Sequence, residues 1–501
     1  MQVFDTHDIH GKQYNRTAML VLLLIATFAA MLNQTSLGTA LPLLMDKFNI
    51  EMATAQQATT WFLLTNGVVI PLSAFLANKF STKWLYFTAY ALLLIGLLTT
   101  ALTPESNWTL FIIGRIIQAS SVGITLPLMQ IVLLHIFPMN KSGAAMGLNG
   151  IVVGLAPAIG PTLSGWILKM DFVVNGVQLS WRAIFIIPFI IVLVAFLLTP
   201  FVVHDVIPNR DVKIDYLSVA LSILGFGIFL WGFSNVANEG WSSFAYVISP
   251  IFGGLIILGL FVLRQLKMKV PFLDVRVFKN MQFSLTTIGV AISMMSMMGL
   301  SMMLPLYLQR VQNMTALDSG LVLLPGALLM GIMSPISGRI FDRVGIKRMA
   351  IIGFLVVAIG TAPFMFIDAY TPQAFLIVVY AVRMTGVGMV MMPLTSGAMA
   401  SLMPKQMTHG TASNNTIRQV SAAVIVALMS STTQTLIKNN TPSQAVKDAN
   451  PLHFASGMLN ASLDGFHASF AILFGIAVVG VVISLFLKAN RSKNDKKEAQ
   501  Q

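Results

Sequence analysis

Apolar runs of about 18 residues or more recur from one end of this chain to the other, and a run of that length reads as a helix that crosses a bilayer. They fall near 17–44, 57–77, 84–102, 108–134, 143–167, 182–202, 215–234, 246–263, 284–306, 319–338, 349–367, 374–400, 410–437 and 466–487. Hydrocarbon offers no partner to a bare backbone amide, so a chain built this way must fold as a bundle of helices. The expected fold is an all-α membrane protein with fourteen transmembrane helices, in a 501-residue chain that is 56% hydrophobic and 10% charged. The first run is too long for a signal-peptide core, and charged residues rather than a small-residue cleavage site follow Leu41-Pro42-Leu43, so it is expected to remain as a helix. The longest stretch between spans, Lys438 to Gly465, is expected outside the membrane and is too short for a catalytic domain.

The net charge of +13 does not form a nucleic-acid patch, because the lysines and arginines sit in short clusters between apolar runs. Most fall in alternate loops and in the tail; only Lys47, Lys169, Arg182, Arg310, Lys438 and Lys447 fall in the opposite loops. The positive-inside rule then places both termini in the cytoplasm of a multi-pass protein of the cell membrane. The cationic tail 488–501 is expected to anchor this topology beside the anionic inner leaflet. With no cysteine in the chain, disulfides, thiolate metal sites and a cysteine nucleophile are excluded. No HExxH, GxxxxGK[ST] or GxSxG pattern occurs, so no enzyme activity, cofactor or metal is expected.

The chain also repeats itself. Gly114-Arg115-Ile116-Ile117-Gln118 leads to Pro127 and Pro138, and Val382-Arg383-Met384-Thr385-Gly386 leads to Pro393 and Pro404, with the same spacing within each proline pair. Two repeated bundles meeting at a central pathway is the logic of a secondary transporter. The expected organisation is a cytoplasmic N-terminus (1–16), a six-helix bundle (17–202), a linker region with two additional central helices (203–283), a second six-helix bundle (284–487) and the basic tail.

The loop after the tenth span, Gly338-Arg339-Ile340-Phe341-Asp342-Arg343-Val344-Gly345-Ile346-Lys347-Arg348, resembles the signature loop of the major facilitator superfamily. That resemblance implies a cytoplasmic lock made by Gly338, Asp342, Arg343, Gly345 and Lys347. The first-half counterpart, Ala74 to Lys83, keeps the register but lacks both glycines and the aspartate. Asn33-Gln34-Thr35 within Leu32–Pro42 is similar to the first-helix motif of the fourteen-helix drug:H+ antiporter subfamily (EmrB/QacA type), in its Asn-Gln-Thr variant. Arg115 and Gln118 resemble that subfamily's R-x-x-Q-G, with Ala119 at the glycine position. The fifth-span stretch Gly154 to Gly165 resembles its antiporter motif; Trp181-Arg182-Ala183-Ile184-Phe185 and Asn414-Asn415-Thr416-Ile417-Arg418-Gln419 also match. The resemblance implies a secondary active exporter of drugs or other amphiphiles, working by alternating access and coupled to protons. A lipid transporter, a uniporter or coupling to another ion are the alternatives.

Gly150, Gly154, Pro157, Gly160, Pro161 and Gly165 belong to the motif, and the small residues from Gly143 to Ser164 mark a face free of bulk that a neighbouring backbone can approach. Arg115, Arg383 and Arg418 fall inside spans, where an arginine costs about 2.5–3.5 kcal/mol or more and needs partners. Gln118 and carbonyls near Pro157 are expected to serve Arg115, and Asn414, Asn415 or Gln419 to serve Arg418. Met294, Met295, Met297, Met298, Met302 and Met303 crowd the ninth span, where they either face lipid, pack, or line an adaptable cavity. All 18 acids are expected in loops or at helix ends, and Asn33 stands where many members of the subfamily carry an aspartate. Protons, if carried, fall to the peripheral Asp318, His409, Asp464 and His467. Three buried cations without buried acids favour neutral or anionic amphiphiles over cationic ones. Membrane lipids are the other expected partners; the protein is expected to be a monomer.

Overall fold

The computed structural model describes residues 7–137, 152, 156, 159–170, 173–174, 177–208, 215–268, 271, 273–403, 406–443, 447–448 and 450–488. In chain order the helices are α1 (Arg16–Thr35), α2 (Leu37–Phe48), α3 (Met52–Lys79), α4 (Thr82–Ala101), α5 (Trp108–Ile136), α6 (159–170), α7 (Ala183–Val202), α8 (Tyr216–Glu239), α9 (Ser249–Lys267), α10 (Met281–Arg310), α11 (Ala316–Val344), α12 (Ile346–Thr361), α13 (Gln373–Ala400), α14 (Met407–Asn440) and α15 (Pro451–Leu485). Among the described residues 13 helices are long and apolar enough to cross a membrane. The expected fifth span lies largely outside the described residues, as does nearly all of the basic tail. Side chains fix the helix starts: Asn15 accepts from the Ala18 amide at 3.1 Å, Asn107 from Leu110 at 3.0 Å and Asn280 from Gln282 at 3.0 Å.

Two expectations are corrected. The first span is two helices, broken at Ser36, and it continues to Phe48. The Thr35 and Ser36 hydroxyls bond back to carbonyls one turn earlier, Ser36 to Leu32 at 2.5 Å, which bends a helix, and Pro42 supplies no N–H to the preceding turn. The stretch from Lys438 to Gly465 is mostly helix, since α14 runs to Asn440 and α15 begins at Pro451. Asp464 therefore lies well inside α15 rather than at a helix end, although it remains exposed.

Helices α1, α3, α4, α5 and α7 pack together, and α10 to α15 form a second cluster. We call the face carrying the start of α1 and the end of α15 the near face, and the other the far face. On the far face Phe48, Trp108, Phe111, Trp181 and Phe185 form one aromatic cluster, with Trp108 and Phe111 stacked at 4.8 Å. Arg182 lies 4.5 Å over the Trp181 ring and reaches Glu105 at 3.3 Å and the Thr103 carbonyl at 3.0 Å. The Trp-Arg dipeptide thus pins α7 to the turn between α4 and α5. On the near face, Asp205 accepts from the Ser81 hydroxyl at 2.6 Å and the Lys83 amide at 3.0 Å. It supplies a carboxylate to the start of α4, near where the first-half signature loop lacks one.

The helices between the two clusters form a hairpin. α8 packs on both α3 and α14, and α9 packs on α8. At the near-face end Arg264 forms a two-pronged bond to Asp215, at 2.9 and 2.8 Å. These bonds hold the Asp215 carboxyl down at about 2. A depressed carboxyl stabilises the fold above its ordinary titration range and loses that contribution as pH falls toward 2. Comparing wild type with Asp215→Asn by intrinsic tryptophan fluorescence is therefore expected to show a gap in stability at neutral pH that closes on acidification from about pH 4. A gap that stayed constant down to about pH 2 would contradict the assignment.

Candidate functional site

The Arg115 side chain is fully buried and sits at the centre of a network within the first cluster. Its Nη1 donates to Gln118 Oε1 at 2.8 Å, Asn33 Oδ1 at 3.2 Å and the Asn33 carbonyl at 3.3 Å, and its guanidinium carbon lies 4.2 Å from the centre of the Phe62 ring. Asn33 Nδ2 donates to Gln118 Oε1 at 2.7 Å, while Gln118 Nε2 donates to the Gly96 carbonyl at 2.9 Å and to Thr100 Oγ1 at 2.7 Å. Asn33 thus accepts from one neighbour and donates to another, which an ionised aspartate cannot do. The close approach of α4 and α5 depends on glycine: a Cβ on Gly96 would stand 2.7 Å from Gln118. Among the described residues the carbonyl acceptors of Arg115 belong to Asn33 and, at 3.5 Å, to Ala58; Pro157 lies outside them.

The second cluster repeats this arrangement. Arg383, also fully buried, donates from Nε to Thr361 Oγ1 at 3.0 Å and from Nη2 to the Ser296 carbonyl and to Ser296 Oγ at 3.0 Å. Ser296 on α10 answers Asn33 on α1, and Thr361 at the end of α12 answers Thr100 on α4. Three residues beyond the arginine, Gly386 stands where the first half has Gln118; a Cβ there would meet the Val357 amide nitrogen at 2.7 Å. The second arginine therefore lacks the amide acceptor and turns to α10.

Arg418 differs. It is 3% exposed, forms no hydrogen bond with the described residues, and its buried Nε has no partner. The neighbours expected to serve it turn elsewhere. Asn414 donates to Thr287 on α10 at 3.3 Å, Asn415 donates to Gln130 on α5 at 2.9 Å, and both amide atoms of Gln419 are unpaired. Gln130 was not singled out in the sequence; its signal is a lone amide in the apolar stretch from Leu126 to Leu133. Gln34 is buried with both amide atoms unpaired, and so are Gln56 and Asn66 on α3.

On the far face the two clusters meet through backbone. Thr162 donates to the Gly320 carbonyl at 2.8 Å, and a Cβ on Gly165 would stand 2.5 Å from the Ala316 oxygen. Gly160 lies against Thr35, whose hydroxyl reaches the Ala156 carbonyl at 3.2 Å, and Thr39 reaches the Pro161 carbonyl at 3.2 Å and Ser164 Oγ at 2.8 Å. Gly150, Gly154 and Pro157 lie outside the described residues. In the signature loop Gly345, at φ +81°, ends α11 and opens α12; Lys347 lies in the first turn of α12, a Cβ on Gly338 would meet open space, and the Asp342 and Arg343 side chains lie outside what is described.

The peripheral titratable residues stay apart from the arginines. Thr315 Oγ1 accepts from the Asp318 amide at 3.1 Å and donates to its carboxylate at 2.6 Å at the start of α11, Asp464 accepts from Asn440 at 2.9 Å, His467 Nε2 lies 2.5 Å from the Ile367 carbonyl, and His409 Nδ1 accepts from the Asp274 amide at 3.3 Å. The charged residues buried among the described residues are Arg115, Arg383 and Arg418. Met294, Met297, Met298, Met302 and Met303 are buried and Met295 is partly so, which places this cluster in the interior rather than against lipid. No group of His, Asp or Glu among the described residues has the makings of a metal site.

Residues 23–426 match the Major Facilitator Superfamily. The chain is 42% identical over 481 residues to an uncharacterized MFS-type transporter, YcnB, of Bacillus subtilis (strain 168), covering 96% of this chain and 97% of that one. It is 35% identical over 492 residues to the lincomycin resistance protein LmrB of the same organism, covering 97% and 98%. Among solved structures it resembles a bacterial homolog of the human lysosomal transporter Spinster, in an inward-facing and occupied conformation, with a TM-score of 0.64 at 13% identity over 95% of this chain and 97% of that chain. The helical bundle, its pair of arginine networks and these relatives lead to one conclusion: the chain belongs to the Major Facilitator Superfamily and is a multi-pass membrane transporter, not an enzyme.

Proposed function

We propose that the protein exports amphiphilic small molecules by alternating access between two six-helix bundles, with the hairpin α8–α9 as the additional pair that brings the total to fourteen spans. Both termini face the cytoplasm in this reading, so the near face is cytoplasmic. The observation that carries it is the chemistry of the interior: Arg418 and the unpaired amides of Gln34 and Gln419 are buried, and among the described residues no buried carboxylate matches them. Relatives named for lincomycin resistance and for multidrug resistance support the substrate class. Because the buried charge is positive, neutral or anionic amphiphiles are preferred over lipophilic cations. Proton coupling follows from the family resemblance, with Asp318, His409, Asp464 and His467 as the candidate carriers.

The test is the internal pH of proteoliposomes on addition of an anionic, a neutral and a quaternary ammonium amphiphile. Transport of the first two with an accompanying proton flux is expected. A much faster flux of the quaternary ammonium compound would overturn the preference, and transport with a silent pH record would overturn the coupling.

A further inference from the structure

The three buried arginines do different work. Arg115 and Arg383 each tie three helices of their own cluster together through oxygen acceptors. Among the described residues Arg418 ties nothing. Its place on α14 follows from spacing, since Thr411, Asn414, Asn415 and Arg418 recur at three, one and three residues and so share one helix face. Thr411 touches Met399 of α13, Asn414 touches Thr287 of α10 and Asn415 touches Gln130 of α5. A face whose first turns meet helices of both clusters looks into the space between them, and Arg418 is the next residue along that face. α5 runs antiparallel to α14, so one turn beyond Gln130 lies Pro127, which has no N–H to offer the carbonyl one turn earlier.

A guanidinium carries five donors in a planar fork and stays charged, and burying it without acceptors is costly. Structures keep such a group where a ligand supplies the acceptors, and the fork matches the two oxygens of a carboxylate, sulfonate or phosphate. We propose that Arg418 determines the specificity of the pathway by pairing with an oxyanion carried on an apolar body, and that the Gln130–Asn415 bond closes the near-face side beneath that pair. This rests on the export reading for its biological sense, but it is a statement about binding and is tested as one.

The probes are 1-anilinonaphthalene-8-sulfonate and its uncharged parent N-phenyl-1-naphthylamine, which differ by one sulfonate. Binding of each to the full chain in nanodiscs is followed by fluorescence, with empty nanodiscs as background. In Arg418→Gln the Kd of the sulfonate is expected to rise by about tenfold or more while that of the parent stays within about twofold. Arg418→Lys keeps the charge without the fork, so it is expected to fall between the two. Equal losses for both probes, no change for either, or a wild type that does not favour the sulfonate would each overturn the proposal. If Arg418→Gln does not fold, the lysine variant decides: an unchanged sulfonate Kd there overturns the pairing. Selective sulfonate binding without transport of either probe in proteoliposomes would leave the site standing and remove the export reading instead.

Discussion

Gln118→Leu is expected to strip the protein of a large share of its stability. The amide oxygen of Gln118 is shared by Arg115 and Asn33, and its nitrogen serves the Gly96 carbonyl and Thr100. Leucine fills similar space but leaves a buried cation and three further polar groups short of a partner. Breaking a buried, bonded charge in this way costs about 3–5 kcal/mol, out of a total stability of about 5–15 kcal/mol for a typical fold. The measurement is the monodisperse fraction after extraction, and the melting temperature of whatever survives. A variant that melts with the wild type would show that Asn33, Ala58 and Phe62 hold Arg115 without Gln118.

Gly165→Leu is expected to yield a folded protein that cannot close its far face. The added carbon would lie 2.5 Å from the Ala316 oxygen and 2.7 Å from the Leu317 Cα, and backbone on both sides leaves no flexible side chain to yield. α6 must then leave α11, and the Thr162–Gly320 bond at 2.8 Å goes with it. The absence of cysteine makes this easy to read, because Thr162→Cys is then the one thiol in the chain; it removes the Thr162–Gly320 bond from both backgrounds, so the comparison isolates the effect of Gly165→Leu. Labelling by an impermeant maleimide is expected to rise on the order of tenfold in the Gly165→Leu background, with transport falling by a similar factor. Unchanged labelling would mean that the two helices separate without cost.

The spans were legible because hydropathy averages over many residues and a bilayer demands such an average. The same averaging hid the break at Ser36, where two hydroxyls and Pro42 act within two turns. It also hid the helix from Pro451 to Gly465, whose polar side chains lower the average without opposing helix formation. The pairing of Arg115 with Gln118 was legible because residues three apart on a helix are neighbours. The same reasoning failed for Arg418: Asn414 and Asn415 lie on its face, but each faces a closer partner on another helix. Which helices approach a face is not written in that helix, and for this reason Gln130 went unnoticed.

The position of α8 has a consequence for how solutes arrive. Leu230 stands beside Gly67 and Val420, and Ser431 donates to the Val236 carbonyl at 3.3 Å, so α8 is wedged along the seam of α3 and α14. A molecule dissolved in the lipid cannot slip in sideways there. Lateral entry along that seam would first have to displace α8, which makes the two flanks of the molecule unequal within the plane of the membrane as well as across it.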